Sequence, residues 1–185
     1  MRKPGMNSYQ VYLLLGLTAL GAQPARAQLW QPPPGAKIYH QYPISEAGEK
    51  PLKVVVYSAG TSASATLLSA EGKELDSVRV DLNLSIQEPT GVFHLKNDDS
   101  WQIVLFGQVG AKAHEARVFD PRGGKLVQLF DWSGWSFRIV TLEGKQLIAA
   151  QLYQRRPPAD LYLWRNGGFQ KVNLEFPSFY APSPN

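Results

Sequence analysis

The side chains in this sequence best suited to bind something are aromatic. Trp132 and Trp135 bracket a Ser-Gly pair in residues 131–137 (DWSGWSF), and Tyr153 and Trp164 follow in or beside later strands. An indole or phenol ring can stack on a sugar ring or a peptide group while its N–H or O–H makes one directional bond. These four residues form the candidate ligand-binding set. Arg155 and Arg156 stand before Pro157-Pro158, a stiff basic loop that could dock an acidic partner.

Other chemistry finds little footing. The chain has no Cys, so thiol catalysis and disulfides are excluded. It has no Gly-x-Ser-x-Gly or Ser-x-x-Lys motif, no phosphate-binding loop and no dinucleotide fingerprint. The three histidines, His40, His94 and His114, lie far apart in sequence. Asp98-Asp99 occupies a turn, where Asp bonds its own backbone, without the further oxygens that calcium needs. Glu115, Asp120 and Asp131 could supply a glycosidase's carboxylate pair, but nothing local predicts the required separation or a raised pKa. The sequence therefore predicts no catalytic residue, no metal site and no cofactor.

The chain begins with Arg2 and Lys3, continues through the apolar residues 11–22 (VYLLLGLTALGA), and reaches Ala25-Arg26-Ala27. A positive start, a short apolar core and small residues at the two positions a signal peptidase reads predict a cleaved leader over residues 1–27. Of the 19 Lys and Arg, three leave with it, and of the 15 Asp and Glu, none. The net charge of +4 thus falls to +1, and the basic character offers no support for nucleic-acid binding. No later stretch is apolar enough to span a membrane as a helix. Export, to a bacterial periplasm or the medium, is the expected fate of a chain with this leader and no Cys.

Apolar residues make up 44% and charged residues 18% of the chain, a balance that can bury a core. Residues 28–36 contain Pro32-Pro33-Pro34 and read as an extended loop; residues 177–185 (PSFYAPSPN) read as a Pro/Ser tail. The folded region, residues 37–176, repeats itself. Residues 137–151 (FRIVTLEGKQLIAAQ) lie on residues 93–107 (FHLKNDDSWQIVLFG) at a shift of 44, and residues 161–174 (LYLWRNGGFQKVNL) lie on 117–130 (RVFDPRGGKLVQLF). An earlier, looser copy runs from residues 37–41 through 54–57 (VVVY) to the hairpin 65–80. Val78, Val80 and Leu82 alternate with Arg79, Asp81 and Asn83, the pattern of a half-buried strand. The unbroken apolar runs 54–57, 103–106 and 147–150 fit strands covered on both faces. Gly123-Gly124 and Gly167-Gly168 mark tight hairpins. Residues 62–70 (SASATLLSA) fit either a strand or a helical turn or two.

An all-β fold of three four-stranded antiparallel repeats follows. In size and strand order these units resemble β-propeller blades, a likeness of architecture with no specific family motif. Three blades are too few to close a ring, so the resemblance implies completion by another chain or an open array. A β-sandwich is the alternative reading. The expected role is a non-enzymatic binding or interaction module of the cell envelope or extracellular space, with a protein partner or a second copy as ligand. Carbohydrate binding through the loop tryptophans and a polysaccharide-active enzyme are the alternatives.

Overall fold

The structure is a computed structural model that describes residues 29–45, 51–84, 89–110, 113–153 and 159–176, with the side chains of 173–176 outside the description. Residues 1–28, Arg155, Arg156 and residues 177–185 lie outside the described residues, and with them the expected leader and Pro/Ser tail. The fold is all-β, as the alternation of apolar and polar residues predicts.

Three separate antiparallel sheets follow one another along the chain. The first runs in the order β1 (Lys37–Ile44), β2 (Leu52–Ala59), β3 (Ser62–Leu68), β4 (Glu74–Val80). The second holds β7 (Gln102–Val109), β8 (Ala113–Arg122) and β9 (Lys125–Gly134). Its first position is shared by two short strands, β5 (Asn83–Leu84) and β6 (Gly91–Phe93), both paired with β7. The third runs β10 (Ser136–Leu142), β11 (Lys145–Gln151), β12 (Ala159–Arg165), β13 (Gly168–Phe176). The stretch that fitted either a strand or a helical turn is β3, buried at every residue. Each sheet is a meander of blade-like order, and no sheet closes on itself.

The sheets stack face to face through their second strands. In β7 the side chains of Ile103 and Leu105 enter one core with Val54 and Val56 of β2. Val104 and Phe106 enter a second core with Ile148 and Ala150 of β11. Successive strand residues point to opposite faces, so an unbroken apolar run is what a strand serving two cores requires. The two outermost faces carry smaller clusters. Val55, Tyr57 and Leu68 gather with Trp30 on the first sheet, and Leu147, Ala149, Leu161 and Leu163 on the third.

Hairpin turns follow from backbone sterics. Gly123-Gly124 takes φ of 56° and 72° between β8 and β9. Between β12 and β13 the two positive-φ residues are Asn166 and Gly167, at 51° and 82°. Gly168 is instead the first residue of β13, opposite Arg165, so the turn lies one residue earlier than the Gly-Gly pair suggests. Asn-Gly is the favoured pair for a two-residue turn of this kind.

The strand expected to run from Phe93 into the Asp98-Asp99 turn is cut short. β6 ends at Phe93 and residues 94–101 form a loop. Between β5 and β6, Thr90 takes over the pairing: its hydroxyl donates to Phe106 O at 3.0 Å and accepts from Phe106 N–H at 3.1 Å. A buried backbone amide would otherwise be orphaned. Gly107 makes this crossing possible, because a Cβ there would run into the Asn83 carbonyl and lie 2.6 Å from Leu82 Cδ1. Gly107→Ala is expected to destabilise the fold by about 3 kcal/mol through overpacking. Urea unfolding checks this, and a midpoint equal to that of the native chain would show that β5 does not pack as described.

Candidate functional site

The structure separates the aromatic residues singled out by the sequence. Trp132 sits on β9, facing the core between the second and third sheets. It is 8% exposed and its ring lies 5.7 Å from Phe137. Gly134 makes room for it, since a Cβ there would come within 2.8 Å of Trp132 Cη2. Residues 131–134 continue β9 instead of turning, and Trp135 is the single linking residue before β10. A paired, exposed tryptophan platform therefore does not form: one ring faces the core and the other caps the chain reversal.

Trp135 is half-buried. Its N–H donates to Gln151 O at 2.8 Å, and its ring meets His114 edge-on at 6.4 Å. His114 in turn stacks on Phe106 at 5.4 Å. The Trp135 Nε1 and His114 Nδ1 atoms are buried without a hydrogen-bond partner. Tyr153 follows β11 and is 63% exposed beside Leu152 at 53%. Trp164 lies on β12 with different company, packed edge-on against Phe169 at 5.1 Å and 5.8 Å from the Lys96 ammonium.

Trp164 thus borders a polar cluster that sequence reasoning missed. Lys96 Nζ donates to Asp120 Oδ2 at 2.8 Å with both side chains buried. Arg122, exposed, reaches the same carboxylate at 3.1 Å. The fully buried Gln102 accepts from Lys96 N–H at 3.0 Å and donates to Ser100 Oγ at 2.8 Å, which closes the loop 94–101. Asn97, at a φ of 59°, exchanges bonds with the backbone of Gln146: Gln146 N–H to Asn97 Oδ1 at 2.6 Å, and Asn97 Nδ2 to Gln146 O at 3.2 Å. His94 N–H donates to Gln146 Oε1 at 2.7 Å. The loop is thereby sewn to the start of β11. The one early signal was the turn expected at Asp98-Asp99, which Asn97 extends toward Phe93.

His94, Asp98 and Ser100 come together in this loop but not as a nucleophilic triad. His94 Nδ1 meets the Ser100 carbonyl at 2.9 Å and its ring lies 3.8 Å from that of Trp101, while the Ser100 hydroxyl donates to Asp98. Catalysis of that type needs the imidazole on the hydroxyl. Partial burial pushes the Asp98 carboxyl up, but the bonds donated by Ser100 outweigh it and hold the group below the ordinary Asp value. The three carboxylates that the sequence offered for glycosidase chemistry lie beside cations. Asp120 serves Lys96 and Arg122, while Glu115 and Asp131 lie 2.9 and 4.0 Å from the Arg117 guanidinium. Among the described residues no group of three His, Asp or Glu side chains could hold a metal ion, and no helix is long and apolar enough to cross a membrane.

No protein family, no characterised protein and no solved structure matches this chain in comparison. Its own geometry carries the functional reading.

Each outermost face carries a concavity among the described residues. The first, about 590 Å³, lies on the first sheet between the N-terminal stretch and β1–β3, with Leu29, Trp30, Ile38, Leu52, Val55 and Leu68 in its lining. The second, about 470 Å³, lies on the third sheet by the turns that end β10 and β12. The Lys96–Asp120 pair lies at the junction of the second and third sheets, so its worth is structural. Removing one partner of a buried ion pair strands the other charge. Asp120→Ala should cost about 3 kcal/mol in chemical denaturation. A loss within error of zero would show that water reaches the pair and that the loop is not anchored there.

Proposed function

We propose that this chain is an exported, non-enzymatic binding module that recognises a protein surface, in the first instance a second copy of itself, through the outer face of its first sheet. The observation that supports this most directly is the groove of about 590 Å³ there. Leu29 and Ile38 in its lining are 60% and 37% exposed, and Trp30 and Leu52 add to its apolar surface. Apolar side chains exposed together in one concavity favour a partner that covers them.

The stacking of the sheets supports a like partner. Within the chain, each sheet covers its neighbour with apolar side chains from its second strand, and the middle sheet is covered on both faces. The outer face of β2 carries the apolar Val55 and Tyr57, against which Trp30, Ala36 and Ala59 pack among the described residues. A second copy would extend the stacking that already holds the three sheets together. The blade-like order of the sheets fits such an extension, which a ring of more than one chain would complete.

Carbohydrate recognition has less support. It asked for two tryptophan rings exposed side by side, and Trp132 faces the core. An enzymatic role asked for two carboxylates facing one another across a pocket, and the three carboxylates considered are each paired with Lys or Arg.

Sedimentation velocity of the mature chain tests the proposal. Association at micromolar concentration is expected, and Ile38→Asp, an exposed strand position, should weaken it at least tenfold, about 1.4 kcal/mol. A chain that stays monomeric at the highest concentration it tolerates would remove self-recognition, as would association that Ile38→Asp leaves untouched.

A further inference from the structure

The second groove differs from the first in chemistry. Its lining is Leu142, Glu143, Lys145, Leu147, Leu163, Arg165, Lys171 and Val172, of which Leu147 and Leu163 form the floor. Three cations and one carboxylate line it. The Lys171 ammonium is occupied by Asp160 at 2.7 Å, and that bond raises its pKa. Lys145 and Arg165, both exposed, make no ion pair among the described residues.

β11 and β12 pair Ile148 with Tyr162, Ala149 with Leu161 and Ala150 with Asp160. The groove lies beyond this pairing, where the two strands run on toward their turns. Side chains alternate between faces, so Lys145 lies on the face of β11 that carries Leu147 and Ala149, and Arg165 on the face of β12 that carries Leu161 and Leu163. Those four apolar residues share one core cluster, and Lys145 and Arg165 line one concavity beside it. Two cations without an ion pair at the mouth of one concavity mark a place where a bound anion could supply the missing charge.

We infer that the groove on the third sheet binds a small amphiphilic anion, a carboxylate carried on an aliphatic chain, with the anion between Lys145 and Arg165 and the chain against Leu147, Leu163, Leu142 and Val172. A volume of about 470 Å³ suits a small molecule. Arg offers a planar fork that matches a carboxylate, and Lys adds a second point charge. This inference is independent of the self-recognition proposed above, which uses the opposite end of the stack.

Isothermal titration of the full mature chain with dodecanoate, kept below its micelle concentration, tests it. One molecule per chain is expected to bind, and Lys145→Gln with Arg165→Gln to weaken binding at least about tenfold. Lys73→Gln, an exposed cation on the first sheet, should leave the affinity unchanged. Thermal unfolding of the unliganded double variant provides a folding control: replacing two exposed side chains should leave its Tm unchanged, while dodecanoate should raise the Tm of the native chain only. The inference is overturned if dodecanoate fails to bind, or if the double variant binds it as tightly as the native chain does. Equal binding of acetate or of dodecan-1-ol would also overturn it, because the site would then read only one half of an amphiphile. A glutamate-rich peptide that bound this cation pair in preference to dodecanoate would assign the groove to an acidic protein segment instead.

Discussion

The architecture depends on β7 having to be covered on both sides. Ile103, Val104 and Leu105 are fully buried, and Phe106 is 7% exposed. Full burial of one such side chain is worth roughly 1.5–3 kcal/mol, and a single sheet contact would secure only half of these. The chain meets the constraint by placing a four-stranded sheet on each side. Val54 and Val56 approach from one, Ile148 and Ala150 from the other. Each flanking sheet carries its own apolar second strand, so the solution moves the same demand outward to the two end faces. Both concavities lie there. The apolar floor of each is the surplus of a stacking rule that the chain applies twice and then runs out of sheets to satisfy.

Polar groups fix how the layers sit. The buried Leu126 N–H donates to Asp76 Oδ2 at 2.8 Å, tying β9 to β4 across the first junction. Across the second, Asn97 and Gln146 trade backbone and side-chain bonds, and Lys96 enters a site closed by Asp120 and Trp164. Apolar packing tolerates sliding, whereas a buried donor accepts only one acceptor position, so these bonds decide alignment more than they add stability. The same economy explains the two end faces. On the first sheet the N-terminal stretch lays Trp30 over Tyr57, with ring centroids 5.7 Å apart, and the concavity beside them is lined mainly by apolar residues, with Gln41, Lys53 and Glu71 among them. On the third, the strands run out to Lys145 and Arg165 and the concavity is polar at its mouth. The two ends therefore differ in chemistry, more apolar at the first sheet and more cationic at the third.

The strand content, the three repeats and the doubly covered strands were legible in the sequence by itself, because they rest on local rules. Alternation of apolar and polar residues sets which face is buried, an unbroken apolar run demands cover on both faces, and Gly or Asn at a positive φ sets a turn. Those rules held from β2 through β13. Only the tertiary structure decided the rest. The strand expected after Phe93 became a loop, because Asn97 and Lys96 found partners in Gln146 and Asp120, 49 and 24 residues away. Trp132 and Trp135, three residues apart, met opposite fates because β9 runs on through Gly134 and carries Trp132 into the core. Lys145 and Arg165, twenty residues apart, reach one concavity only because β11 and β12 lie side by side. Chain-local patterning determines what each strand must bury. Which side chains meet across strands and between sheets depends on long-range register, which no residue encodes alone.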